Sequence, residues 1–216
     1  MNRNDHDGAP RHRTTGKRLT TEHNQRFVEE SVMLSMGYQP PIDIRQVTQR
    51  QVPLGAHRAL QSKTDLRGII THASRSLAEI SGFSVEELIG QPHNILRHPD
   101  IPDAVYYLMW QTIQAGKEFY GVVKNRCKNG DHYWVMTRVA PQMEGNQIVG
   151  YSSARFTPQL DMVPMWEDLF AAMREAEHSS GFTDARRFKP AHDVLCKLVQ
   201  RKGYDNLSQL VLSQRV

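Results

Sequence analysis

The dipeptide Asn129-Gly130 stands between two runs of strand composition, Phe119 to Lys128 and Tyr133 to Met143. A connection of that kind turns one strand back antiparallel on the other, because glycine enters positive φ at no steric cost. Glu144-Gly145-Asn146 repeats the signal before a third run, Gln147 to Phe156. Upstream, Arg67-Gly68 separates Ser62–Leu66 from Ile69–Ala73 and predicts another hairpin. Helical patterns fill the gap. Ser74 is the expected N-cap of a helix through Ser81, with Leu77, Ala78 and Ile80 inward. Ser84-Val85-Glu86-Glu87 has the form of a capping box and starts a helix through Ile89. Pro102-Asp103 opens a longer helix to Ala115, with Val105, Leu108, Met109, Thr112 and Ile113 at helical spacing. Two strands, then helices, then three strands, with no βαβ repeat, predict an α+β fold: a five-stranded antiparallel sheet with helices on one face.

The flanks read differently. Residues 1–26 are polar and interrupted by Gly8, Pro10 and Gly16, and they carry too little apolar surface to offset ordering, so a disordered tail is expected. His6, His12 and His23 lie there without a recurring ligand spacing. Phe27 to Met36 predicts a short helix, stopped by Gly37, and Ile42 to Gly55 an extended linker, making 27–61 a cap and linker. The core domain is expected over 62–158. Beyond it, Met162, Trp166, Leu169, Phe170 and Met173 form one apolar stripe. Helices are also expected over Pro190–Lys202 and Asn206–Leu212, so 159–216 is a small helical extension. No kinase, cyclase or methyl-accepting output sequence is recognisable, and signalling through a separate protein is expected.

Two distant cysteines, Cys127 and Cys196, argue against a disulfide framework and for a reducing compartment. No run of about 18 apolar residues predicts a membrane span, and the basic N-terminus lacks the apolar core of a secretory signal. The cytoplasm is the expected location. A net charge of +4, partly concentrated in Arg3 to Arg18, does not by itself point to nucleic acid. Arg186, Arg187, Lys189, Lys197, Arg201 and Lys202 read as a solvated helical face.

One loop stands apart. Gly90-Gln91-Pro92-His93-Asn94-Ile95-Leu96-Arg97-His98-Pro99-Asp100 sets two histidines, an arginine and an aspartate around two aliphatic residues. Such a loop is costly in backbone entropy and poor in core-forming surface, so its polar groups are expected to face a ligand or partner. On composition alone, Arg97 and Asp100 read as a surface ion pair worth about 0–1 kcal/mol.

With Ser81–Gly90 before it and Lys124–Val135 after it, this loop resembles the PAS sensor family, and within it the FAD-binding PAS domain of bacterial aerotaxis receptors. The resemblance runs from Lys63 to Pro158 and implies the PAS-like five-stranded sheet already predicted. It also implies that Arg97, His98 and Asp100 carry FAD binding, that His93 and Asn94 belong to the same motif, and that Asn125 lines the cavity. Phe119 stands where those receptors place a tryptophan against the ring, and Ser74 where they carry an asparagine. Trp110 is a further candidate for ring contact, although a core or interface role fits its helix as well. A diphosphate needs positive charge and donors, which Arg97 and His98 offer.

The function expected is therefore a cytoplasmic, non-enzymatic sensor that holds FAD, reports redox or oxygen state to a signalling partner, and works as a homodimer. The Met162–Met173 stripe is expected either to transmit to a partner or, equally, to belong to a helix that packs on the domain and covers its apolar surface. The alternative is a cofactor-free PAS interaction module acting as an adaptor in a signalling or chemotaxis pathway. Haem on one of His72, His93, His98 or His132 is a minor alternative. No nucleophile–base pair and no dinucleotide glycine fingerprint suggest an enzyme.

Overall fold

The computed structural model describes residues 47–54 and 59–214. The expected tail and the Phe27–Met36 helix lie outside the described residues. The core runs β1 (Leu60–Thr64), β2 (Ile70–Ala73), α1 (Arg75–Ser81), α2 (Val85–Leu88), a 3₁₀ turn (His93–Leu96), α3 (Asp103–Gln114), β3 (Phe119–Arg126), β4 (His132–Glu144) and β5 (Gln147–Phe156). The strands form one sheet in the order β2-β1-β5-β4-β3, each neighbouring pair antiparallel. The five-stranded antiparallel architecture is thus as the turn signals dictate.

Local chemistry sets the boundaries. Ser74 caps α1 by accepting the Leu77 N–H at 3.2 Å, and Gly82 ends the helix at φ 71°. Both halves of the Ser84–Glu87 capping box are made. The hairpin turn expected at Asn129-Gly130 joins β3 to β4. Arg126 pairs with His132, Cys127 N–H donates to the Asp131 carbonyl, and Gly130 N–H to that of Cys127. Lys128, Asn129 and Gly130 therefore form a three-residue loop with glycine at φ 90°, the usual next choice after a two-residue turn. Asn129 tips the balance: its side chain takes the Asp131 N–H and donates to the Asp131 carboxylate.

Asp131 also tethers the segment that precedes β1. It accepts from Thr48 Oγ1 at 2.6 Å and from the Arg50 guanidinium, and Gln51 bridges His132 in parallel. The described part of the expected linker, 47–54, is thus tied to the start of β4 through one isolated bridge.

Glycine is required for lack of room where β5 meets the backbone of β1. A Cβ on Gly150 would sit 2.4 Å from the Thr64 carbonyl oxygen. Thr64 pairs with Tyr151, the next residue of β5, so that oxygen has no freedom to retreat. Gly150→Ala is expected to destabilise the fold by about 1–3 kcal/mol, read as a lower urea midpoint at an unchanged denaturant slope.

Three further helices follow: α4 (Val163–Ser179), α5 (Phe188–Arg201) and α6 (Leu207–Leu212). The stripe Trp166, Leu169, Phe170 and Met173 is buried. Trp134 alternates with Tyr133 along β4, so it points to the sheet face away from α1–α3. There it stacks on Phe170, the ring planes 9° apart. The extension therefore covers part of the outer sheet, and of the two roles expected for the stripe it takes the one within the chain. Met162 alone of its five members is not buried. No helix among the described residues is long and apolar enough to cross a membrane.

Candidate ligand-binding site

The motif loop is zipped to the sheet edge before it reaches its site residues. Gly90 N–H donates to Ile70 O, Ile70 N–H to Gln91 O, and His93 N–H to Gly68 O. Leu96, 1% exposed, anchors the 3₁₀ turn in the core. Arg97 then bridges Asn125 of β3 through its backbone.

Between this loop, α3 and the inner face of the sheet lies a cavity of about 90 Å³. Its walls are largely apolar, with Leu96, Val105, Met109, Phe119, Val123 and Tyr151 among them. Of the residues expected at a ligand site, His93, Asn94, Arg97, Trp110, Phe119 and Asn125 line it. The Arg97 guanidinium lies over the Tyr106 ring, 3.8 Å from the centroid. The Trp110 indole N–H and the Tyr106 hydroxyl are buried without a hydrogen-bond partner among the described residues.

Ser74, His98 and Asp100 do not line the cavity. Ser74 is occupied as the α1 cap and also accepts the Gln61 N–H at 3.0 Å. Arg97 leaves the 3₁₀ turn with extended backbone (φ −68°, ψ 137°). Consecutive side chains of an extended segment point to opposite sides, so with Arg97 inside, His98 turns away. His98 is 2% exposed and packs edge-on against His132, ring centroids 5.7 Å apart. Its Nδ1 accepts the Asp100 N–H, and burial pushes its pKa down to about 4. Asp100 takes the Lys124 ammonium at 2.7 Å. Its carboxyl lies below the usual range: burial opposes ionisation, but Lys124 and the neighbouring charges outweigh it. The surface ion pair between Arg97 and Asp100 is not formed.

Residues without a motif complete the site: Ser62, Tyr106, Thr137, Tyr151 and Arg155. Arg155, 4% exposed, donates to Ser62 Oγ at 3.2 Å and to His93 Nε2 at 2.7 Å. His93 must accept with that nitrogen, so it is neutral. Burial, and then the Arg155 charge, push its pKa down to about 3. Burial drives the Tyr106 phenol up to about 12. The signal for Arg155 was present in the register: it shares the inward face of β5 with Tyr151 and Ser153, and a charge on an inward strand position is unusual.

Cys127 and metal chemistry add nothing to this cavity. Cys127 is buried and its thiol, bonded to the Ile80 carbonyl, is pushed up to about 11 by burial. No group of three or more His, Cys, Asp or Glu side chains that could hold a metal occurs among the described residues.

Residues 70–155 match the PAS fold family. The chain carries a PAS domain. It is 40% identical over 158 residues to the aerotaxis receptor of Escherichia coli K12, an alignment covering 73% of this chain and 29% of the receptor. It is 30% identical over 80 residues to the nitrogen fixation regulatory protein of Klebsiella pneumoniae, covering 37% of this chain and 16% of that protein. The chain thus spans under a third of the length of these relatives. A light-oxygen-voltage domain superposes with a TM-score of 0.47 at 17% identity, over 51% of this chain and 85% of its own.

Proposed function

We propose that this PAS domain is a sensor that holds FAD in the cavity and reports redox or oxygen state to a signalling partner. The observation that carries the reading is the enclosed Arg97 guanidinium, which faces an apolar cavity with no carboxylate in ion-pair distance among the described residues. Similarity to an aerotaxis receptor supports it.

The donor set fits a flavin. Phe119, Val123 and Met109 offer an apolar slot for the ring. Asn125, whose carboxamide both donates and accepts, suits the ring edge, and Arg97 suits the diphosphate. The cavity is smaller than the about 300–1,000 Å³ of ordinary ligand sites, so loading requires its lining, the Arg97–Tyr106 contact included, to rearrange. FAD supplies electron acceptance; the chain supplies position and exclusion of water.

Arg97 is also one end of a lever. The Asp100 carbonyl is held by Arg174 of α4. Glu177 of α4 accepts the Asp103 and Ala104 N–H groups, the latter at 2.7 Å, and Arg187 pairs with Asp103 at 2.7 Å. Movement of Arg97 therefore works against the α4–α5 clamp, a better transmitter than the buried stripe. The receiver is a separate protein or a second copy of the chain in a homodimer, in the cytoplasm.

The small cavity volume favours the second reading, a cofactor-free interaction module. Heat release and chromatography separate the two. FAD is expected in the supernatant of the wild-type protein. Arg97→Ala is expected to weaken retention about 10- to 100-fold, the loss of a charge-assisted bond of about 1.5–3 kcal/mol. Equal FAD content in both proteins would remove Arg97 from the account.

A further inference from the structure

Arg155 is a buried cation without a counter-charge. Its partners are a hydroxyl, Ser62, and a neutral imidazole, His93. The other groups facing it are Tyr133 of β4 and Tyr106 of α3, and burial keeps both phenols protonated. Among the described residues no carboxylate pairs with it; Arg97, which also lines the cavity, has the same sign, and Arg67, the third arginine of the lining, is paired with Asp65. Burying an unpaired charge is strongly unfavourable. An anion in the cavity would recover much of that cost.

We propose that Arg155, fixed by Ser62 and His93 at the sheet wall of the cavity, is the counter-charge for the negative charge that a bound flavin ring gains on reduction, and so sets its midpoint potential. This inference rests on the flavin reading above. The balance is two electrons from an external low-potential donor and one proton from solvent, the proton ending on the ring's N5. One negative charge is left on the N1–C2–O2 edge. A fixed positive charge near that edge favours the reduced form over the oxidised, neutral one.

The test is dye-equilibrated titration of the FAD-loaded chain with dithionite. Arg155→Gln is expected to weaken binding of reduced relative to oxidised FAD at least tenfold, a fall of about 30 mV in the two-electron midpoint. Arg155→Lys, which keeps the charge and not the fork, is expected to lie between the two. A Gln variant that binds FAD with the wild-type midpoint overturns the inference and leaves the flavin reading standing. A wild-type chain that takes up no flavin overturns both. If Arg155→Gln does not fold, the wild-type protein carries the test alone. One proton per two electrons gives a slope of about 30 mV per pH unit. A slope of about 59 mV would mean that the ring takes both protons and holds no charge for Arg155 to meet.

Discussion

Trp134→Ala is expected to destabilise the protein by about 3–5 kcal/mol, the range for truncating a buried aromatic. The side chain is 2% exposed. It lies between the outer sheet and α4, stacked on Phe170 at a centroid distance of 6.2 Å, with the Lys124 ammonium 5.9 Å from its ring centroid. Its removal leaves a cavity between two layers that loops do not hold together, so collapse recovers little. It also opens the buried Lys124 ammonium, the partner of the half-exposed Asp100, to water. Urea denaturation measures the loss, and a double-mutant cycle with Phe170→Ala isolates the pair, with about 0.5–1.5 kcal/mol of coupling expected. A loss under about 1 kcal/mol would mean that α4 does not rest on the sheet in solution.

Acid is expected to weaken the fold well before its carboxylates titrate. His93 and His98 have folded-state pKa values near 3 and 4, against about 6.5 for an unfolded chain. Below pH 6.5 the unfolded state binds protons that the folded state refuses, so stability is complete above that pH and falls as pH drops toward 4. At about 1.4 kcal/mol per unit, His93 accounts for on the order of 3–5 kcal/mol at most, and His98 for less. Glu177 works the other way: burial raises its pKa, so it gains a proton early in the folded state and returns a little stability. Urea midpoints at pH 7 and pH 4.5 read the balance. A large fall is expected for the wild type and a smaller one for His93→Gln. Equal midpoints in the wild type would mean that these imidazoles are solvated.

Much of this architecture was legible because it is written in local chemistry. Gly68, Gly82 and Gly130 need positive φ, Ser74 and Ser84 cap helices, and the α3 pattern buries Val105 and Ile113. The hairpin turn at Asn129-Gly130 was legible in the dipeptide, whereas its three-residue length goes with the Asn129–Asp131 side-chain bonds. The site was legible only in part. The motif marked Arg97, His93 and Asn125, but it could not say that extended backbone after Leu96 sends His98 away from the cavity. Arg155 and Ser62 come from strands 93 residues apart, and only the β1–β5 register brings them together. Alternation along β4 puts Trp134 and Tyr133 on opposite faces of the sheet without saying which face a helix covers. The answer lay in Phe170, whose stripe reads the same whether it packs within the chain or between chains.

The account stands on whether the cavity takes up a flavin. The most direct measurement is an absorption spectrum of the protein purified without added cofactor, recorded before and after dithionite. The visible bands of a bound oxidised flavin, bleached by the reductant, are the predicted result. A colourless protein that stays colourless after incubation with FAD and desalting would contradict it.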